Sequence, residues 1–138
     1  MPETTRTAEE AARACGCAVS QIVKSLVFRI VETGGLTLLL VAGDRRVDVG
    51  RASGAVGGNL EPAGAKQVRD VTGFAIGGVS PLGHVTAIRT FMDPSLLEHD
   101  TVWVAAGTPN AVFSVAPTRL REAVGAELLP PEACRADA

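Results

Sequence analysis

The sequence has no tyrosine, one tryptophan and four phenylalanines, so aromatics make up 4% of its 138 residues. That poverty argues against a module that stacks nucleic-acid bases on aromatic side chains. Neither sign of charge dominates: thirteen basic against fifteen acidic residues give a formal net charge of −2. A protein that grips nucleic acid chiefly by neutralising phosphates is disfavoured, although a small basic patch touching one end of an RNA remains compatible. No apolar run approaches the roughly 20 residues that a membrane-crossing helix needs. The start, "MPETTRTAEEAARA", is acidic and polar, unlike a secretion signal, so the cytoplasm is the expected compartment. The three cysteines, Cys15, Cys17 and Cys134, are an odd set with one C-x-C pair. They fit neither a disulfide framework nor a four-ligand zinc site, and read as small buried thiols. His84 and His99 are the only histidines, and no cysteine stands at ligand spacing from them. No metal and no cofactor is expected. A G-x-S-x-G elbow and a Gly-Lys-Ser/Thr phosphate loop are both missing.

What is present is a core. Hydrophobic residues make up 46% and charged residues 20%, enough for a single domain over residues 1–138. "TAEEAARACG" predicts a short helix: Thr7 stands at the cap, Glu10 completes a capping-box spacing, and Gly16 stops it. Ser20–Val31 and Leu36–Ala42 read as strands joined by the turn signal "TGG", a hairpin. Val47–Gly58 reads as a strand end running into a glycine-weakened helix. "EPAGAKQVRDVTG" reads as a helix with Pro62 in its first turn and Gly73 at its end. "VTAIRTFMD" predicts a strand, "DPSLLEHD" a turn or single helical turn, "TVWVAAG" and "NAVFSVA" two strands joined by "GTPN", and "PTRLREAVG" a closing helix. The Pro-rich tail from about residue 130 is expected to fray. Hairpins interrupted irregularly by helices predict a mixed α+β fold, a mixed, largely antiparallel sheet with helices packed around it.

One letter is out of place in the first strand. Lys24 sits among Ile22, Val23, Leu26, Val27 and Phe28, and the only other lysine is Lys66. Alternation puts Lys24, Leu26 and Phe28 on one face and Val23, Ser25 and Val27 on the other. Such a lysine either snorkels to water or occupies a pocket with a partner, because an unpaired buried ammonium would cost several kcal/mol. "GFAIGGVSPLGH" (Gly73–His84) concentrates Gly77, Gly78, Pro81 and Gly83. It is either a tight structural turn or a place where backbone N–H groups converge on an oxygen of a ligand. "AAGTPNAVF" is a second glycine-bearing turn, open to the same two readings. His84, directly after the first loop, could be a polar wall or proton carrier, whereas His99 falls in a polar turn and is expected in solvent. Arg45, Arg46 and Arg51 read first as a solvated turn, with a phosphate contact as the alternative.

The segments "TRTAEEAARACG", "QIVKSLVF", "TGFAIGGVSPLGH" and "AAGTPNAVFSVAPTRLREAVGAEL" occur in the order seen in the YbaK / prolyl-tRNA-synthetase-associated editing domain family, and the chain resembles that family from about Thr5 to Leu129. The resemblance implies a mixed sheet curled toward a barrel, surrounded by helices. It implies a trans-editing aminoacyl-tRNA deacylase that clears a small amino acid such as Ala or Cys from mischarged tRNA, with tRNA-Pro the expected carrier. A non-catalytic module of the same fold that binds a small molecule or the tRNA end is the alternative. Residue by residue, Lys24 matches the family's functional lysine. Ser25 stands where some members carry Asn, Thr7 or Thr5 matches a pocket-lining threonine, and Gly77, Gly78, Val79, Ser80, Pro81 and Gly83 match the loop facing the aminoacyl group. His84 matches a variable position, and Gly107 and Thr108 the second loop.

The implied chemistry needs no metal, because an aminoacyl ester is already activated. Backbone N–H groups, with Gly78 and Gly83 as candidates, would receive the oxyanion, and Lys24 would hold a phosphate or carbonyl oxygen. The implied partners are the acceptor end of an aminoacyl-tRNA and prolyl-tRNA synthetase, with no membrane. Family members usually carry a helix and a strand before the first matched helix. Here six residues precede Thr7, which leads to the expectation of an edge covered by a second copy of the chain, a homodimer.

Overall fold

The computed structural model describes residues 8–73, 88–105 and 112–136. Its organising element is β2 (Leu36–Ala42), whose seven residues are all buried. A strand of Leu, Val and Ala flanked on both sides can bury both faces, and this one does. On one side it pairs antiparallel with β1 (Val23–Ile30), in the register Lys24 opposite Val41 and Ser25 opposite Leu40. On the other it pairs parallel with β5 (Arg89–Met92). The sheet runs β4-β1-β2-β5-β8, with β4 (Leu60–Pro62) antiparallel to β1 and β8 (Glu127–Leu128) parallel to β5. Two antiparallel ribbons accompany it. β3 (Arg45–Val47) pairs with β9 (Cys134–Ala136), and β6 (Val102–Ala105) pairs with β7 (Val112–Val115). A single bridge, Ile22 to Trp103, ties the second ribbon to the start of β1.

The helices are α1 (Ala8–Cys15), α2 (Val49–Val56), α3 (Ala65–Thr72) and α4 (Pro117–Val124). Glycines end three of them in the left-handed region, Gly57, Gly73 and Gly125. One face of the sheet presents Val23, Leu38, Leu40 and Met92 to Val68 of α3, Leu120 of α4 and Val102 and Val104 of β6. The other presents Leu39, Val41 and Phe91 to Ala52 and Val56 of α2 and to Leu129, Ala133 and Cys134. A smaller cluster seats Ala11 and Ala12 of α1 on Ile22.

The first helix, the β1–β2 hairpin, the β6–β7 pair and the last helix lie where the sequence places them. The mixed sheet is as expected, although among the described residues it does not close into a barrel, and β4 and β8 stand at its ends. Two expectations are corrected. Pro62 is not in a helical first turn: it ends β4, opposite Phe28, and α3 begins only at Ala65 after Gly64. An edge strand tolerates a residue without an N–H, and pairing with β1 outweighs the local helix signal. The tail does not fray either. Pro131–Ala133 form a helical turn, Cys134–Ala136 pair with β3, and Ala133 and Cys134 are buried.

What holds that tail is Asp93, wholly buried at the end of β5. Its Oδ1 accepts from Ser95 N at 3.0 Å, capping the turn Pro94–Glu98, and its Oδ2 accepts from Ala42 N at 3.2 Å. The Arg45 guanidinium lies 3.3 Å away and also donates to the carbonyls of Pro131 and Cys134. Asp93→Ala is expected to cost about 3–5 kcal/mol, because it takes the carboxylate from the half-buried Arg45 guanidinium and leaves the buried N–H of Ala42 without a partner. Urea unfolding measures it, and a cost under about 1 kcal/mol would refute this account of the clamp.

Candidate functional site

Lys24 is the second residue of β1, and its side chain goes to the face of α2 and β9. There Nζ donates to the carbonyl oxygen of Arg45 at 2.5 Å. The lysine is half-buried and meets a partner. Of the two readings open to the sequence, the pocket with a partner is the observed one, and the partner is backbone. An ammonium has three donors, so two remain for other oxygens. Arg45, expected in a solvated turn, is half-buried against Asp93. The whole group, Lys24, Arg45, Asp93 and Cys134, occupies the place where β2 hands the chain to β3 and β9 returns beside it.

The thiol of Cys134 senses all of them. Burial pushes its pKa from 9.0 up to about 12, the Asp93 carboxylate pushes the same way, and the cations of Arg45 and Lys24 pull back. Cys15 and Cys17 are half-buried near α1, their thiols raised by burial. None of the three is a low-pKa nucleophile.

Ser25 faces the other way. Strand alternation sends it toward the cluster that contains Val23 and Val27, and its buried Oγ has no hydrogen-bond partner among the described residues. Lys24 and Ser25 therefore do not share a face. The other residues singled out by sequence, Thr7, Gly77, Gly78, Val79, Ser80, Pro81, Gly83, His84, Gly107 and Thr108, lie outside the described residues. The described chain on either side of the two glycine segments packs on the Ser25 face: Val68 and Ile88 flank the first, Val104 and Phe113 the second. His99 is half-buried rather than exposed.

Sequence reasoning missed Asp93 as a structural centre. Its signal was the "MDPS" pattern, an acid directly before a proline at a helical start, which marks a cap but says nothing about Arg45. Two open grooves flank α4. The larger, about 440 Å³, is lined by Phe113, Val115, Arg119, Leu120, Glu122 and Ala123, and neither groove includes Lys24 or Ser25. Among the described residues no three His, Cys, Asp or Glu side chains gather as metal ligands, and no helix is long and apolar enough to cross a membrane.

Comparison with known proteins supplies the class. Residues 2–123 match the aminoacyl-tRNA editing domain family, and the chain belongs to that family. A crystal structure described as a candidate trans-editing enzyme for prolyl tRNA synthetase is 48% identical, with a TM-score of 0.86 over 93% of this chain and 80% of that one. The uncharacterized protein YwhH of Bacillus subtilis (strain 168) is 33% identical over 86% of this chain and 75% of its own length. The proline–tRNA ligase of Maridesulfovibrio salexigens is 35% identical over 72% of this chain, which spans 17% of that enzyme. Editing of aminoacyl-tRNA is the functional class that this membership supports.

The Cys134 thiol yields a test of the clamp's burial. An unfolded thiol ionises near pH 9, the folded one near 12, so between those values the unfolded chain releases a proton that the native state keeps. The Cys134 contribution to stability is therefore level below pH 9 and falls as pH rises toward 12, by at most about 4 kcal/mol. Denaturant unfolding across that range should show a shallower fall in Cys134→Ala than in the parent protein. Lys66, Arg89, Cys15 and Cys17 are common to both and cancel. Parallel curves would contradict the buried-thiol assignment.

Proposed function

We propose that this protein is a trans-editing deacylase that hydrolyses the ester of a small amino acid, Ala or Cys, on mischarged tRNA, with tRNA-Pro as the carrier. The observation that carries the reading is the family match over residues 2–123, joined to a lysine set among apolar residues on β1 with donors to spare. The substrate ester needs a placed water and a site for the oxyanion, not a metal or a covalent nucleophile. In this reading backbone N–H groups of Gly78 and Gly83 take the oxyanion, and the segment through Gly77, Val79, Ser80 and Pro81 shapes the aminoacyl pocket with Thr7, His84, Gly107 and Thr108. Loss of one oxyanion donor costs about 2.7–4 kcal/mol in other hydrolases.

Lys24 is assigned to an oxygen of the substrate's phosphate or ester, using the donors that Arg45 leaves. Its place beside the β3–β9 ribbon supports the phosphate over the ester. Ser25, on the opposite face, is assigned to the aminoacyl side, where its unpartnered hydroxyl would gain a partner on binding. Discrimination would then come from pocket size, worth about 1–3 kcal/mol per methylene, which is why a separate hydrolytic sieve is useful. The working partners are the acceptor end of tRNA and prolyl-tRNA synthetase, in the cytoplasm, with a homodimer as the assembly.

A deacylation panel over mischarged tRNAs tests this directly. Purified protein should release Ala or Cys from tRNA-Pro, and Lys24→Met should lower the rate on the order of a hundredfold. The lost bond to Arg45 costs about 1 kcal/mol, so the variant should stay folded. Undiminished release by that variant would remove Lys24 from the mechanism. Binding of an aminoacyl-adenosine analogue without any turnover would replace the enzyme by the binding module.

A further inference from the structure

We infer that Arg45 is a positioning residue for Lys24: its carbonyl oxygen anchors the ammonium, and its guanidinium keeps the buried carboxylate of Asp93 from capturing that charge. The inference rests on the deacylase reading above. It adds what leaves the charge of a lysine available to an anionic substrate in a place that already holds a carboxylate.

The observations concern one small group. Lys24 Nζ donates to the carbonyl of Arg45 at 2.5 Å. Asp93 is wholly buried; Ser95 N and Ala42 N donate to its two oxygens, and Arg45 Nε stands 3.3 Å from Oδ2. That Nε makes no aligned hydrogen bond, so its contact with Asp93 is charge against charge. The directed bonds of the guanidinium go to the carbonyls of Pro131 and Cys134. The Cys134 thiol is acted on by Asp93, Arg45 and Lys24 together, which gathers all three charges around one side chain. Yet among the described residues Asp93 forms its ion pair with Arg45 and not with Lys24.

Electrostatics show why the pairing matters. A lysine carries its charge on a long flexible stem, so the ammonium needs an anchor to stay in one place. A neutral carbonyl holds it and leaves its charge whole, whereas a carboxylate would hold it and cancel it. Two cations beside one buried carboxylate leave one positive charge over. A guanidinium is more weakly hydrated than an ammonium and so loses less on leaving water, which makes arginine the better partner for the dry acid. The excess charge then falls to Lys24, on the residue assigned to a substrate oxygen. Arg45 supplies both parts at once, backbone to the lysine and side chain to the acid.

Competitive labelling of amines tests the arrangement. The only lysines are Lys24 and Lys66, so Lys66 serves as the internal reference. The full-length parent, Arg45→Met and Arg45→Lys are treated with trace acetic anhydride under native conditions, and modification is assigned by peptide mass. In Arg45→Met the carboxylate has lost its cation, and Lys24 is the ammonium at hand. An ammonium held by a carboxylate yields its free amine less readily, so Lys24 should label about tenfold more slowly relative to Lys66 than in the parent. A merely structural role gives the opposite sign, because a loosened pocket exposes the lysine and speeds its labelling. Deacylation of mischarged tRNA-Pro by Arg45→Met should fall by a factor of about ten to a hundred. Arg45→Lys keeps a cation beside Asp93 but loses the bonds to the Pro131 and Cys134 carbonyls. Its unfolding midpoint should drop, while its activity and its Lys24 labelling stay near those of the parent. Faster or unchanged labelling of Lys24 in Arg45→Met would overturn the proposal. Equal loss of activity in the two variants would also overturn it, since activity would then follow stability. Where Arg45→Met does not fold, Arg45→Gln, which keeps a donor for the two carbonyls, takes its place with the same expectations. If the parent releases no amino acid from any mischarged tRNA, the deacylase reading falls, and the sign of the labelling change alone decides the inference.

Discussion

Asp93 places a carboxylate where no water reaches it, and four parts of the chain are fixed by how that group is satisfied. The N–H of Ala42 fixes the end of β2, that of Ser95 fixes the turn after β5, and Arg45 fixes the start of β3. Through the same guanidinium the carbonyls of Pro131 and Cys134 fix the returning tail. A buried carboxylate without these partners would be too costly to keep, so the partners are obligatory rather than incidental. Lys24 inherits its position from this arrangement, since its acceptor is the backbone of Arg45.

The elements that could be read from sequence are those whose signal is local. Leu36–Ala42 is an unbroken apolar run of strand length, Gly125 ends a helix that Pro117 begins, and "TGG" makes the hairpin. The errors came where distant chain decides. Pro62 carries a helix-start signal, yet Phe28–Ile30 offers it a strand edge. Cys134–Ala136 looks like polar tail, yet the open edge of Arg45–Val47 recruits it from 89 residues away. Lys24 stood out as an anomaly in the sequence, but its partner is a carbonyl, a group every residue has, so no letter could mark it. The arginines near residue 45 divided in two. Arg45 turned inward to Asp93 and is half-buried, while the outward Arg46 faces Arg135, which only the fold brings near.

The two adjacent polar residues of β1 show how one strand can serve two purposes. A period of two sends neighbours to opposite faces, so Lys24 reaches the α2 and β9 side while Ser25 reaches the side from which both glycine segments depart. A family likeness that aligns them as consecutive site residues does not by itself place them in one cavity. The geometry instead separates them, with the Lys24 ammonium on the α2 and β9 side of the sheet and the Ser25 hydroxyl on the other.

That division bears on how a slightly acidic domain can handle a polyanion. Uniform positive charge would attract every nucleic acid in the cell and would repel itself within the fold. Among the described residues Arg46 and Arg135 stand opposed across one short ribbon, while Arg29, Lys66 and Arg89 each pair with a carboxylate elsewhere. Like charges directly opposed across a strand pair cost of the order of 0.2–1 kcal/mol where nothing compensates them. Breaking the clamp that carries the ribbon would cost several times that amount. A fold can therefore maintain opposed arginines at its surface as long as the ion pair beneath them stays intact.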